Sequence, residues 1–162
     1  MLLYKAGVSW LTLLVSRSIG EIYGGYFEDN RAGNDGGAIY FQESVIISNT
    51  QIISNMANRN GGGGYFKSDA TFINTDFMSN TAYMDGGGIY QQSGGRLKTS
   101  GGMFQNNTAH NQHGGAVFAT ALNITSLTTL HHKATVSISK TLTLPITVLL
   151  MPYLLEGAGY FG

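Results

Sequence analysis

Cysteine is absent from the 162 residues, which excludes a disulfide framework, a thiolate zinc site and a cysteine nucleophile. Proline occurs twice, too rarely for a proline-rich disordered chain. Only 11% of the residues are charged, against about 25% in an average soluble domain. Nine basic residues balance nine acidic ones. Because no basic surplus exists to hold a phosphate backbone, nucleic-acid binding has no electrostatic support.

Glycine, by contrast, is abundant, with 23 residues in the chain. Together with the many Tyr, Phe and Ile residues, this composition predicts short strands joined by tight turns. The repeated part of the chain lacks the sustained 3.6-residue apolar period that a helical repeat would need. It also has almost none of the regularly spaced leucines of a leucine-rich repeat.

Four imperfect copies of a unit of about 25 residues follow one another. An Asn-x-Ala triplet recurs in steps of 25, 25 and 27 residues, beginning at Asn30, Asn55, Asn80 and Asn107. Three residues before each Asn stands an apolar residue: Phe27, Ile52, Phe77 and Phe104. A glycine pair follows each triplet: Gly36-Gly37, Gly61-Gly62, Gly86-Gly87 and Gly114-Gly115. Three residues past the second glycine comes an aromatic: Tyr40, Tyr65, Tyr90 and Phe118.

A unit of this length with three short strands cannot bury its own apolar side, but stacked copies can pair in parallel about 4.8 Å apart. The predicted fold is therefore all-β, a right-handed parallel β-helix (β-solenoid) of about four 25-residue coils. The phenylalanine positions then form one apolar stack, and the tyrosine positions are expected to form another. The Asn positions form an amide ladder, with ordinary turn propensity as the alternative. The glycine pairs are expected to take positive φ at a corner where a Cβ would clash.

The repeats divide the chain into three parts. Residues 1–19 carry one basic residue before an apolar stretch, which indicates either a signal-like segment or part of an earlier strand. Residues 20–125 hold the β-helix repeats. Residues 126–162 form an irregular C-terminal segment, either a cap on the coil or a disordered tail. In this segment Val136, Ile138, Leu142 and Leu144 alternate with Ser or Thr, which favours strand.

The pairing of Gly-Gly-Ala-Ile at Gly36–Ile39 with Phe-x-x-Asn at Phe27–Asn30 resembles the chlamydial polymorphic outer-membrane protein repeat. The resemblance covers roughly residues 20–125, because both half-motifs alternate four times. It departs from the pattern where the second copy has Ile52 for Phe and Gly63-Gly64 for Ala-Ile. The resemblance implies a right-handed parallel β-helix of the pectin-lyase-like type. It also implies a repeat region exported as a passenger and displayed at a cell surface, with adhesion as its usual role.

Enzymes of the pectin-lyase-like fold use clustered carboxylates, so the acidic residues need attention. No two aspartates are adjacent in the sequence. Asp35, Asn60 and Asp85 share one repeat position, where a weak cation site competes with the simpler interpretation of turn residues before glycine. His110 and His113 have the spacing of a chelating pair but no third ligand nearby. No catalytic residue, cofactor site or metal site is predicted, and the repeat residues named above are expected to be structural.

The primary hypothesis is a non-enzymatic surface or secreted β-helix repeat protein, adhesin- or passenger-like, as one piece of a larger protein. Its expected partners are a host or neighbouring cell-surface protein or glycan, and a second copy through the coil ends. Its expected location is extracellular or at the cell surface, the outer membrane in a bacterium. The alternatives are a fragment of a carbohydrate-active β-helix enzyme and a pseudogene-like fragment without its own function.

Overall fold

The computed structural model describes residues 11–13, 19–92, 94–110, 113–120, 124–130, 136–138 and 148–150, with side chains described in 19–92, 94–110 and 113–120. All of the regular secondary structure in these residues is β-strand. In chain order they are β1 (Leu11–Leu13), β2 (Gly20–Glu28), β3 (Arg31–Ala32), β4 (Ile39–Phe41), β5 (Val45–Ile53), β6 (Met56–Ala57), β7 (Gly64–Phe66), β8 (Ala70–Ile73), β9 (Asp76–Met78), β10 (Thr81–Ala82), β11 (Ile89–Gln91), β12 (Leu97–Ser100), β13 (Phe104–Gln105), β14 (Thr108–Ala109), β15 (Val117–Ala119), β16 (Ile124–Leu130), β17 (Val136–Ile138) and β18 (Val148–Leu150). None of the described residues belongs to a helix that could cross a membrane.

The strands form three sheets in which every neighbouring pair is parallel. The tyrosine sheet runs β1-β4-β7-β11-β15-β17, and the short sheet runs β14-β10-β6-β3. The long sheet contains the remaining strands, β2, β5, β8, β9, β12, β13, β16 and β18. Along each coil the chain passes through one strand of the tyrosine sheet, then through the long sheet, and then through a two-residue strand of the short sheet. Parallel sheets stacked this way are a β-solenoid.

The register follows the repeat. Tyr40 pairs with Tyr65 and Tyr65 with Tyr90, each 25 residues on, and Tyr90 pairs with Phe118 after a longer loop. The predicted parallel pairing at a 25-residue offset is therefore confirmed. The tyrosine sheet continues past these levels, since β1 pairs with β4 and β17 with β15. Val136 and Ile138 lie in β17, whereas the segments around Leu142 and Leu144 and most of residues 1–19 lie outside the described residues.

The core is made of side chains that alternate inward along each strand. The predicted phenylalanine stack is confirmed, with Phe77 paired to Ile52 and Phe104 in register. The Phe77 and Phe104 rings lie 5.1 Å apart with planes 3° from parallel. Phe72 packs its ring edge against Phe77 at 5.1 Å and so links neighbouring columns inside the coil.

The tyrosine positions stack as expected, but outside the core. Ile39 and Phe41 are buried in the core, so Tyr40 between them points to the outer face. The Tyr40 and Tyr65 ring centroids are 5.1 Å apart, and those of Tyr65 and Tyr90 are 4.9 Å apart. The expected second stack is thus confirmed, and it lies on the outer side of the tyrosine sheet. All three residues of β4 are apolar, and the residue type therefore gives no sign of which one points outward.

The two glycines of each pair serve different purposes. The first has positive φ in every copy, between 62° and 73°. A Cβ on Gly61, for example, would collide with the backbone carbonyl of Gly64. The second glycine does not need positive φ. A Cβ on Gly62 would instead meet the backbone of Thr81 and Gly87 in the next coil. The predicted positive φ therefore holds for the first glycine, and close approach between coils explains the second.

The Gly63-Gly64 departure from the repeat has a packing reason. A Cβ on Gly64 would lie 2.6 Å from the ring of Phe66, two residues further along the same strand. The Phe66 ring therefore occupies the space that Ile39 and Ile89 fill in the neighbouring coils. It also contacts Phe72 edge-on at 5.1 Å. The second copy therefore needs glycine at position 64 to make room for the Phe66 ring.

Candidate functional site

The asparagine ladder consists of Asn30, Asn55, Asn80 and Asn107, all at least nine-tenths buried. Each Nδ2 donates to the Oδ1 of the Asn in the next coil, at 2.9, 3.0 and 2.9 Å in order. The backbone N–H of the same residue donates to that same Oδ1 at 3.0 Å. The predicted amide ladder is confirmed.

A second bond joins the amides of Asn55, Asn80 and Asn107 to a backbone carbonyl of the preceding coil. Nδ2 of Asn55 donates to the carbonyl of Phe27 at 2.9 Å, and Nδ2 of Asn80 donates to that of Ile52 at 2.8 Å. An amide alone offers two donors and an acceptor that can take two bonds, so the geometry accounts for the residue type. An aspartate could not donate, and its buried charge would have no cation to balance it.

The turn column consists of Asp35, Asn60, Asp85 and His113, the residues just before the glycine pairs. Nδ2 and the backbone N–H of Asn60 donate to Oδ1 of Asp35 at 3.0 and 3.1 Å. The backbone N–H of Asp85 donates to Oδ1 of Asn60 at 3.3 Å, and Nδ1 of His113 lies 2.9 Å from Oδ1 of Asp85. Arg59 adds a longer ion pair to Asp35 at 4.0 Å.

This column corrects the interpretation of Asn60 as a turn residue alone. As in the asparagine ladder, the backbone N–H and Nδ2 donate together to one Oδ1 in a neighbouring coil, although Asn60 is only half-buried and donates to the preceding coil instead of the following one. Turn propensity before glycine concealed this role, because Asp and Asn are common there for local reasons. The recurrence of Asp or Asn at a 25-residue spacing was the available signal.

The stacked tyrosines run beside the turn column on the outer face. Burial raises the pKa of Tyr65 to about 12, and the nearby carboxylate of Asp35 adds to the effect. Burial also raises the pKa of Tyr90, with Asp85 contributing in the same direction. The Tyr65 hydroxyl donates to Oε1 of Gln92 at 3.0 Å. Since the rings face one another, each ring covers the faces of its neighbours, and Tyr65 in the middle of the stack is buried.

The acidic and histidine side chains are held apart rather than gathered. Asp35 and Asp85 are separated by the whole coil that carries Asn60. His113 bonds Asp85, whereas the His110 ring packs against Tyr83 at 5.6 Å, so the two histidines do not converge. Among the described residues there is no group of three His, Asp or Glu side chains placed to hold a metal ion.

One further acid is tied to an arginine at the edge of the long sheet. Asp69 accepts bonds from Nε and Nη2 of Arg96 at 3.1 and 3.0 Å. The backbone N–H of Arg96 also donates to Asp69, at 2.8 Å, and this bond is the main reason that the pKa of Asp69 is lowered. A carboxylate held this way is a poor general acid, because its protonated form is disfavoured.

A family model agrees with this geometry. The model of the Chlamydia polymorphic membrane protein repeat matches residues 24–42. The matched segment contains Asn30 of the asparagine ladder, Asp35 of the turn column, the Gly36-Gly37 pair and the outward Tyr40. It therefore spans the corner, the turn and the first strand of the following coil. Neither the curated proteins nor the solved structures contain a match to the chain.

Proposed function

We propose that this chain is a non-enzymatic β-solenoid segment, adhesin- or passenger-like, of a surface-displayed or secreted protein. The observation that carries the proposal is the repeat match at residues 24–42, located in a coil whose geometry recurs along the solenoid. The matching family is described as a membrane protein repeat of Chlamydia, which favours the outer membrane or cell surface as the location.

The physical character of the outer surface supports a contact role. Each outward position recurs about every 4.8 Å along the axis, so the faces are long and flat. Few charges lie on them, and aromatic side chains such as Tyr23 and Tyr83 are 78% and 63% exposed. Such a surface suits extended, weak contact with a cell-surface protein or glycan more than bond cleavage, which needs a concave site with perturbed groups.

Binding to cells tests this proposal directly. The labelled chain is expected to bind intact cells saturably and weakly, and excess unlabelled chain should compete with it. The matched control is Asn55→Ala, which removes one rung of the asparagine ladder and should weaken binding in proportion to the loss of folded protein. Absence of saturable binding, or equal binding by a fully unfolded variant, would contradict the adhesive role.

The coil ends are a second proposed contact. Within the described residues β3 pairs with β6 alone at one end of the short sheet and β14 with β10 alone at the other, so each end leaves one edge without a strand partner there. An unpaired parallel edge can add a strand from another chain. Self-association through the ends should yield open-ended species that lengthen with protein concentration. A species of fixed size at all concentrations would argue against it.

The alternative is a fragment of a carbohydrate-active enzyme. Asp85 is the acid that the alternative would rely on, because it lies at the outer face beside His113. We expect no release of reducing ends or unsaturated products from pectin-like glycans. Turnover by the purified chain that disappears in Asp85→Ala, with the fold retained, would favour the enzyme and overturn the proposal.

A further inference from the structure

The outer face of the long sheet between β2 and β12 carries two columns of side chains, together called the flat face. The first column contains Glu21, Ile46, Thr71 and Lys98, and the second contains Tyr23, Ser48, Ile73 and Ser100. The residues between the columns, Ile47 and Phe72 among them, point inward to the core. The eight side chains are thus four levels of one surface.

The flat face is apolar in parts and carries its charges at its two ends. Tyr23 is 78% exposed and Ile73 is 39% exposed. Glu21 on β2 and Lys98 on β12 are exposed, and neither forms an ion pair with a described residue. Acid at the first level and base at the fourth make the face polar along the solenoid axis.

A second copy turned over about an axis parallel to the strands matches this face. That rotation reverses the solenoid axis, so the first level of one copy meets the fourth level of the other. Glu21 then faces Lys98 of the second copy, and the reverse pair forms by symmetry. We propose that the chain associates with itself through the flat face as an antiparallel, two-fold dimer.

Side-chain size points to the same arrangement. In the second column Tyr23 faces Ser100 of the other copy, and Ile73 faces Ser48, so a large side chain meets a small one at each level. A dimer with parallel solenoid axes would instead bring the two Glu21 side chains to one end and the two Lys98 side chains to the other. Like charges would then gather at both ends, which disfavours that geometry.

The size of the face sets the strength of the dimer. Four strands about 4.8 Å apart extend about 14 Å along the axis. A patch of this size falls below the area of a stable interface, so the dimer belongs to the weak and transient class. Its ion pairs are exposed, and the association should therefore weaken as salt is added. This inference is independent of cell binding and of strand addition at the coil ends.

Sedimentation equilibrium of the full chain, with charge-reversed variants, tests the dimer. Glu21→Lys and Lys98→Glu each replace two facing ion pairs with two like-charge pairs, and each should weaken association about tenfold. An equimolar mixture of the two variants restores both ion pairs in a mixed dimer and should recover the wild-type constant. Arg31→Glu, an exposed charge reversal on the short sheet, is the matched control and should have no effect.

The outcomes separate this dimer from other states. Monomeric wild-type chain at high concentration, single variants that associate normally, or a mixture that stays dissociated would each overturn the proposal. So would larger species that persist unchanged in Glu21→Lys and Lys98→Glu, because those indicate association at the coil ends without the flat face. Circular dichroism of each variant checks the fold. Ser100→Tyr supplies a charge-neutral test, since it sets a tyrosine against Tyr23 of the second copy and should also abolish the dimer.

Discussion

The asparagine ladder and the turn column run through the same four coils, about five residues apart in the chain. They differ in how much the residue type varies from coil to coil. The asparagine ladder repeats one residue at every level, buried and bonded on all sides. The turn column changes from Asp35 to Asn60 to Asp85 to His113 while keeping bonds between levels. Water can satisfy what a half-buried side chain leaves unpaired, whereas a buried amide has no substitute. Burial, rather than the ladder geometry itself, therefore fixes residue identity.

The largest expected effect compares the two columns at adjacent positions. Asn55→Ala removes donors to Phe27 and Asn80 and leaves the amide of Asn30 without its acceptor, all in the interior. We expect a loss of about 3–4 kcal/mol in the free energy of unfolding. Asn60→Ala removes one half-buried donor and one long bond, and we expect about 1 kcal/mol.

Chemical denaturation of both variants, monitored by circular dichroism, measures this difference. Gly33→Ala is a suitable control, since a Cβ at that position would have no atom within 4 Å. Equal losses for Asn55→Ala and Asn60→Ala would mean that burial does not separate the two columns.

The next effect concerns the titration of Tyr65, which belongs to the tyrosine stack beside the turn column and not to the asparagine ladder. The unfolded chain ionises its tyrosines near pH 10, whereas burial raises the pKa of Tyr65 to about 12. The neutral form is thus favoured in the folded state. The stability from this shift is complete below about pH 10 and is lost as pH rises through about 12. Because the hydroxyl is only partly buried, solvent screening should hold the loss to about 1.5–2 kcal/mol. Tyr65→Phe should flatten the alkaline part of the stability profile. An unchanged alkaline midpoint in this variant would contradict the assignment.

The sequence could predict a column only where no local explanation, such as turn propensity, was sufficient for its residues. The Asn-x-Ala spacing predicted the asparagine ladder because turn propensity does not require an Ala two residues later. Asn60 was missed because Asn before Gly has a sufficient local explanation. The sequence could not predict that the Tyr40 side chain points outward, since Ile39 and Phe41 beside it are also apolar. The sequence could not explain Gly64, because the reason is the Phe66 ring, which fills the space that a Cβ would need.

A smaller effect follows from Asn60→Asp, which stacks three carboxylates in successive coils. At neutral pH the repulsion and the lost donor to Asp35 should cost about 1–2 kcal/mol. Like charges raise the folded-state pKa of the new carboxyl above its unfolded value. The protonated form is thus favoured in the fold, and the deficit should shrink as pH falls towards about 4. Asn60→Ala is the control, whose deficit should stay constant over this range. A pH-independent deficit in Asn60→Asp would show that the carboxylates do not interact.

The smallest effect distinguishes the left-handed residues beside each column. The turn column is followed by glycine in every copy, because a Cβ there would collide with the backbone three residues on. The asparagine ladder is preceded by left-handed residues that do carry a side chain: Asp29, Ser54, Ser79 and Asn106. Ser54 is exposed with φ of 56°, a conformation that asparagine adopts more readily than serine. Ser54→Asn should therefore raise the free energy of unfolding by about 0.5 kcal/mol, measured by denaturation. Ser54→Ala lacks the local bonding that eases this conformation and should give no gain. An equal gain from Ser54→Ala would mean that the gain comes from the unfolded chain. The left-handed conformation before the asparagine ladder would then not favour asparagine at this position.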